Sequence, residues 1–239
     1  MNPAPATGVG RHESLRGQST SRTNSDNPPV NIAILGTGGV GGTLGTRWAQ
    51  AGYSVIFGSR QPESEKCLEL LEACGHGSRA ACGKDAVAEA DAILLAVPWP
   101  AARITLAELG DLGGRVLIDA TNPLKADFSG IELGHLTSAA EEIATWVPSA
   151  RVVKAFNSAS TKVMKDPQFG DHQAAMFYCG DDAAAKEVVH GLIASLGFDP
   201  VDAGPLASAR YLEPLAMLYI HLAFKQGWGS NCAFKILKR

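Results

Sequence analysis

Ile34-Leu35-Gly36-Thr37-Gly38-Gly39-Val40-Gly41 decides how this chain is read. An apolar run from Val30 enters it as a β-strand, and a segment of helical period leaves it, so the glycines occupy a strand-to-helix turn. In G-x-G-x-x-G each glycine has its own task. Gly36 permits the tight turn, Gly38 lets the backbone approach a diphosphate with no Cβ in the way, and Gly41 lets the helix pack closely on the strand. The helix start then offers free N–H groups and positive potential to an anion. Gly36, Thr37, Gly38, Gly39, Val40 and Gly41 are therefore expected to hold a dinucleotide, against the plain alternative of a glycine-rich turn.

Outward from this loop, short β-rich apolar runs alternate with longer helical segments, the pattern of βα units on a parallel sheet. Strands are predicted at Val30–Leu35, Ser54–Phe57, Ala92–Val97, Arg115–Asp119, Arg151–Phe156, Ala174–Cys179 and Phe198–Asp202. Several are apolar on both alternations, as strands covered on both faces are. After Gly180, Asp181 and Asp182 suit a helix N-cap, and Val188, Val189, Leu192, Ile193 and Leu196 keep helical spacing until Gly197 ends it. A last helix is expected from about Ser208 to Phe224. Its Leu212, Leu215, Leu218, Tyr219 and Leu222 form an apolar stripe that must pack on the flank or on a second subunit. The predicted fold class is α/β, a doubly wound, mainly parallel sheet with a small C-terminal helical appendage. Residues 1–28, rich in Ser, Thr, Gly, Asn and Pro, read as a disordered tail, 29–206 as the nucleotide-binding domain, and 207–239 as a helical segment for packing or dimerisation.

Composition narrows the function. The 239 residues are 46% apolar and 19% charged, which fits a globule with buried strands. A formal charge of −3 lacks the basic field that a nucleic-acid backbone requires, so no nucleic-acid partner is expected. The longest nearly uninterrupted apolar stretch, Ala92 to Ala102, contains Pro98 and Pro100 and falls well short of the roughly 20 residues that cross a bilayer. No membrane span and no signal peptide are read, so a cytoplasmic setting is expected. Five cysteines without a C-x-x-C pair indicate neither a disulfide framework nor zinc, and the stretch from Cys74 and His76 to Cys82 lacks convergent ligand spacing, so no metal is expected.

Other candidate site residues stand where strands end. Phe57-Gly58-Ser59-Arg60 closes the second strand, where an NAD site would carry a carboxylate for the ribose hydroxyl. The Ser59 hydroxyl and the Arg60 guanidinium suit a 2′-phosphate instead, which points to NADP(H) over NAD(H). Val97, Pro98 and Trp99 end the next buried strand, the first two through their backbone and Trp99 either lining the cleft or packing on the following helix. Asn122, Ala155 and Asn157 leave two further strands, where the asparagines could orient a nicotinamide amide or a substrate. Lys154 is the one proton-donor candidate, and Lys154 and Asn157 are the only catalytic candidates; His135 and His221 read as surface and packed histidines. No G-x-S-x-G elbow or paired carboxylate is found, which disfavours hydrolysis. Few acid/base groups suit ring-to-ring hydride transfer, where positioning does most of the work.

With these residues in place, the chain resembles the NADPH-dependent deazaflavin (coenzyme 420) reductases, also called NADP oxidoreductases, and the related cytoplasmic domain of six-transmembrane metalloreductases. The resemblance rests on the Gly36–Gly41 loop, Gly58-Ser59-Arg60, Val97-Pro98-Trp99, Cys179-Gly180-Asp181-Asp182, and Asp202-Ala203-Gly204-Pro205-Leu206 followed by Ala209-Arg210. It implies a Rossmann domain, NADP(H) on the glycine loop and the Ser59/Arg60 pair, hydride transfer with a deazaflavin or flavin, and a homodimer built on the C-terminal helices. Two positions depart. Deazaflavin-acting members carry a His and, three residues on, a Pro where this chain has Asn157 and Ser160, which leaves the second ring's identity open. A basic residue common four positions after the Ser-Arg pair falls on Ser64, with Lys66 the nearest substitute. The expected function is an NADP(H)-dependent oxidoreductase with a deazaflavin, flavin or other small acceptor. Two alternatives stand beside it: an imine or ketone reductase of the pyrroline-carboxylate reductase type using Lys154 or water as proton source, and a non-catalytic NADP(H)-sensing module.

Overall fold

The computed structural model describes Met1, residues 30–75 and residues 77–239; most of the predicted tail, and His76, lie outside the described residues. In chain order these form β1 (Asn31–Leu35), α1 (Gly39–Gln50), β2 (Ser54–Gly58), α2 (Glu65–Cys74), β3 (Ser78–Ala81), α3 (Gly83–Ala88), β4 (Ala92–Leu95), α4 (Trp99–Leu109), β5 (Val116–Asp119) and α5 (Ala139–Trp146). There follow β6 (Arg151–Lys154), α6 (Thr161–Lys165), the two-residue β7 (Gln168–Phe169) and β8 (His172–Gln173), β9 (Ala175–Gly180), α7 (Ala183–Ser195), β10 (Asp199–Asp202) and α8 (Ala209–Ile220).

Eight strands make one sheet in the order β10-β9-β6-β5-β4-β1-β2-β3. The six from β6 to β3 run parallel, and β9 pairs antiparallel with β6. All seven predicted strands form, each within two residues of its expected ends. The edge strand β3 and the β7–β8 hairpin are additions to the prediction. β4 and β5 are buried along their whole length, as continuous apolar strands under helices on both faces must be.

One face of the sheet carries α1, α6 and α7, whose Leu44, Trp48, Met164, Val189 and Leu192 form a core with Phe57 and Phe156. The other carries α3, α4, α5 and α8 through Val87, Leu106, Ile143 and Leu212. Each fully buried large aliphatic side chain contributes roughly 1.5–3 kcal/mol of transfer free energy. The helix after Gly180 starts as expected, with the Asp182 carboxylate accepting from Ala185 N–H at 2.7 Å. The stripe predicted on α8 is divided between two faces: Leu212 and Tyr219 are buried, while Leu218 is half exposed, as is more fully Tyr211, which the stripe did not include. A π-turn, His221–Lys225, extends α8 to about its predicted end.

Candidate functional site

Strand register brings the candidate residues into one row. Leu35 of β1 pairs with Gly58 of β2 and Leu95 of β4, Leu95 with Asp119 of β5, and Asp119 with Lys154 of β6. Five parallel strands thus end level, and at about 4.8 Å per strand their exits span roughly 19 Å. Between β1 and β4 the connections diverge to opposite sides, which opens the crevice where doubly wound sheets bind ligands.

The glycine loop rises at this crevice. Gly36 has φ +107°, and a Cβ there would press into the Ala96 carbonyl, so the β1 and β4 exits touch at a point only glycine can occupy. A Cβ on Gly41 would drive into the Gly36 carbonyl oxygen, which fixes α1 tightly on its strand. Gly38 is different. Its φ of −78° suits any residue, and a Cβ there would meet nothing within 4 Å, so the fold itself leaves that cradle open. Gly38 caps α1 without a side-chain hydrogen bond and no acid stands in the first turn, which leaves the helix's first N–H groups and positive end for an anion. Thr37, Gly38 and Gly39 line a cleft of about 620 Å³ that continues between α1 and α2 past Thr43 and Lys66, whereas Val40 packs inward on the core.

Beside the loop, Ser59 N–H bonds the Ala81 carbonyl and Ser59 Oγ accepts from Gln61 N–H at 3.1 Å, which leaves the hydroxyl proton for a ligand. Arg60 is exposed and forms no ion pair among the described residues. Ser64 is the N-cap residue of α2, and Lys66, two positions on, reaches the cleft in place of the basic residue missing there. On the other side, Val97 leans on Gly36 and Pro98 stands exposed at the start of α4. The Trp99 ring stacks on Trp146 of α5 at 5.3 Å, with Arg103 over Trp146, and Trp99 stays partly exposed.

Lys154 requires a correction. Its side chain is fully buried, and the ammonium bonds Asp119 Oδ2 at 2.8 Å, Glu213 Oε1 at 2.9 Å and the Thr121 carbonyl at 2.6 Å. All three protons are engaged by these protein acceptors, and we propose that none is left for a bound substrate. Burial works to lower its pKa, but Asp119 and Glu213 outweigh it and hold the pKa raised. Burial also pushes the Glu213 carboxyl up, against the pull of Lys154. Glu213 accepts from Ala139 and Ala140 N–H at the start of α5, so the triad clamps α8 and α5 beneath the β5 and β6 exits. Ala155, also fully buried, gives its N–H to the Asp119 carbonyl.

Above the triad two loops are tied together. Asn122 Nδ2 donates to the Asn157 carbonyl at 2.9 Å, and Asn157 Nδ2 donates to Asn122 Oδ1 at 3.1 Å and to the Leu212 carbonyl at 2.9 Å. Phe156, just before Asn157, sits at φ +60°, a strained conformation held by its ring edges against Trp48 and Phe198. Sequence reading passed over Thr121 and Ser158, both buried at these exits, and over Asp119 and Glu213. Asp119, Thr121 and Ser158 stand in the strand-exit segments 119–123 and 154–158 that hold Asn122 and Asn157; Glu213 carries no signal short of the fold.

Comparison with known proteins identifies the family. Residues 31–123 match the family described as NADP oxidoreductase coenzyme F420-dependent. The F420-dependent NADP reductase of Methanothermobacter marburgensis is 32% identical over 210 residues, 82% of this chain and 93% of that protein. Metalloreductase STEAP3 of Rattus norvegicus is 35% identical over 191 residues; the match covers 78% of this chain and only 37% of that protein's length. A structure from Arthrobacter sp. FB24, described provisionally as an F420-dependent NADP reductase, superposes with a TM-score of 0.78 at 32% identity, covering 87% of this chain and all of that one.

Proposed function

Since the chain belongs to the coenzyme F420-dependent NADP oxidoreductase family, it is an NADP-dependent oxidoreductase with a deazaflavin as its acceptor class, and we propose that the row of strand exits holds the nucleotide. When bound, the nicotinamide supplies or accepts the hydride. Gly36, Thr37, Gly38, Gly39 and Gly41 would seat the diphosphate on the α1 N-terminus, with Val40 anchoring the turn. Ser59 and Arg60, with Lys66 nearby, would take the 2′-phosphate. The backbone at Val97 and Pro98 would border the dinucleotide's middle, and Asn122 and Asn157 its nicotinamide end. The observation that carries this reading is Gly38: a glycine whose conformation and surroundings do not require glycine, at an uncapped helix start, keeps room for a ligand.

The chain's own contribution is then to bind and orient two rings and to exclude water, since the one buried ammonium among the described residues is spent on Asp119 and Glu213. That burial also takes Lys154 from the imine or ketone reductase reading, which is left with water as its proton source, and family membership favours turnover over sensing alone. Arg60→Asp is expected to reduce the preference for NADPH over NADH by about 2 kcal/mol, roughly thirtyfold, because a carboxylate would face the extra phosphate. Titration of both nucleotides checks it; an unchanged preference removes Arg60 from the site. Anaerobic oxidation of NADPH by a deazaflavin tests the acceptor class.

We also propose a cytoplasmic homodimer. Among the described residues no helix is long and apolar enough to cross a membrane. Tyr211 and Leu218 expose a continuous apolar face on α8 that a second copy would cover. Tyr211→Glu together with Leu218→Glu is expected to yield monomers in sedimentation; an unaltered dimer would place the contact elsewhere.

A further inference from the structure

We infer that residues 221–239, which follow α8, form a docking surface for an anionic lipid membrane. Their charge sets them apart. Lys225, Lys235, Lys238 and Arg239 give this stretch a formal +4 with no acidic side chain, in a chain of net −3, so the preceding 220 residues carry −7. Lys235 is spent on Asp199. Lys225, Lys238 and Arg239 are exposed and form no ion pair among the described residues. Large apolar side chains stand beside these cations: Phe224, Trp228, Ile236 and Leu237 are all exposed, Trp228 at 67% and Leu237 at 77%.

The backbone that carries them is fastened down. The hydroxyls of Ser160 and Tyr219 both donate to the Ser230 carbonyl, at 2.6 and 2.8 Å, and Ala175 N–H donates to the Phe234 carbonyl at 2.8 Å. The Phe234 ring meets Tyr219 edge-on, and Trp228 N–H reaches back to the Leu222 carbonyl. Tyr219, Ala223 and Phe234 are thus turned toward the protein, while the exposed apolar side chains and the unpaired cations are held in solvent around the end of α8. Single exposed apolar residues are ordinary, but this combination has a specific complement. A nucleic-acid backbone would satisfy the cations and gain nothing from Ile236 and Leu237. An anionic bilayer surface satisfies both: aromatic rings suit headgroup depth, aliphatic side chains reach the acyl boundary, and Lys and Arg stretch their charges to the lipid anions. Repulsion between the leaflet and the acidic remainder of the chain turns this end toward the lipid. The contact is with the surface, since no helix among the described residues is long and apolar enough to cross a membrane.

The test is cosedimentation of the full chain with lipid vesicles. Vesicles of phosphatidylcholine with roughly 30% phosphatidylserine are expected to bind it about tenfold more tightly than phosphatidylcholine alone, and the excess is expected to shrink as salt is raised. Two variants divide the surface. Lys225→Gln, Lys238→Gln and Arg239→Gln together are expected to lose the preference for phosphatidylserine, and Phe224→Ser with Trp228→Ser to weaken binding to both kinds of vesicle. Both variants are expected to melt as the native protein does, since all five side chains are exposed. Equal binding of the native chain to the two kinds of vesicle, or none to either, overturns the inference without any variant. Undiminished preference for phosphatidylserine in the charge variant overturns it as well. If Phe224→Ser with Trp228→Ser instead turns a dimer into monomers while vesicle binding persists, a second copy covers this face and the inference falls.

Discussion

Lys154→Met is expected to destabilise the fold by about 3–5 kcal/mol, the usual penalty for removing one partner of a buried ion cluster. For a domain of this size that lowers the melting temperature by roughly 10 °C or more. Among the described residues Lys154 is the only cation in contact with Asp119 and Glu213, and all three side chains are at most 1% exposed. Without it, two carboxylates share a buried site, and the Thr121 carbonyl loses its donor as well. Glu213 still holds the first N–H groups of α5, so its most economical response is to take up a proton, which weakens that hold on α5. Replacing Asp119, Lys154 and Glu213 together by apolar residues of similar volume is expected to recover much of the lost stability, since no unpaired charge then remains. Differential scanning calorimetry of the single and triple variants decides the matter. A Lys154→Met protein that melts with the native one yet has lost turnover would restore Lys154 as a proton donor.

Gly38→Ala is expected to leave the melting temperature unchanged and to weaken NADPH binding by about 100-fold, or roughly 2.7 kcal/mol. Alanine adopts φ −78° without strain, and its methyl group would enter space where, its own chain neighbours apart, none of the described residues comes within 4 Å. The folded chain therefore gives no reason to exclude it; only a ligand brought against the backbone does. Gly41→Ala serves as the contrast. There the added methyl would collide with the Gly36 carbonyl and crowd Ile34 at 3.0 Å, so both stability and binding fall. A Gly38→Ala variant that binds NADPH as the native protein does would mean that the loop is a structural turn and nothing more.

Most of the sheet was legible because strands buried on both faces, such as Ala92-Ile-Leu-Leu95, announce themselves as apolar runs. Ser78-Arg-Ala-Ala81 was not, since an edge strand with half-exposed small residues carries no β-branched or aromatic signal. The reversed direction of β9 was also hidden: a strand apolar on both faces reads alike either way, and the reversal is set by a short helix and a small hairpin between β6 and β9. At the site, the glycine loop and Arg60 are candidates that local chain order alone brings out. The surroundings of Lys154 and Trp99 are not legible in that way, because what makes them comes from afar: Glu213 on α8 for one, Trp146 on α5 for the other. A cation at a strand exit looks the same in sequence whether it faces a ligand or a buried acid.

Calorimetric titration of the native chain with NADPH and with NADH is the most direct test of a diphosphate site backed by a guanidinium. NADPH is expected to bind at micromolar level or tighter, and NADH at least about tenfold more weakly. Equal affinity for the two, or no heat from either, would contradict it.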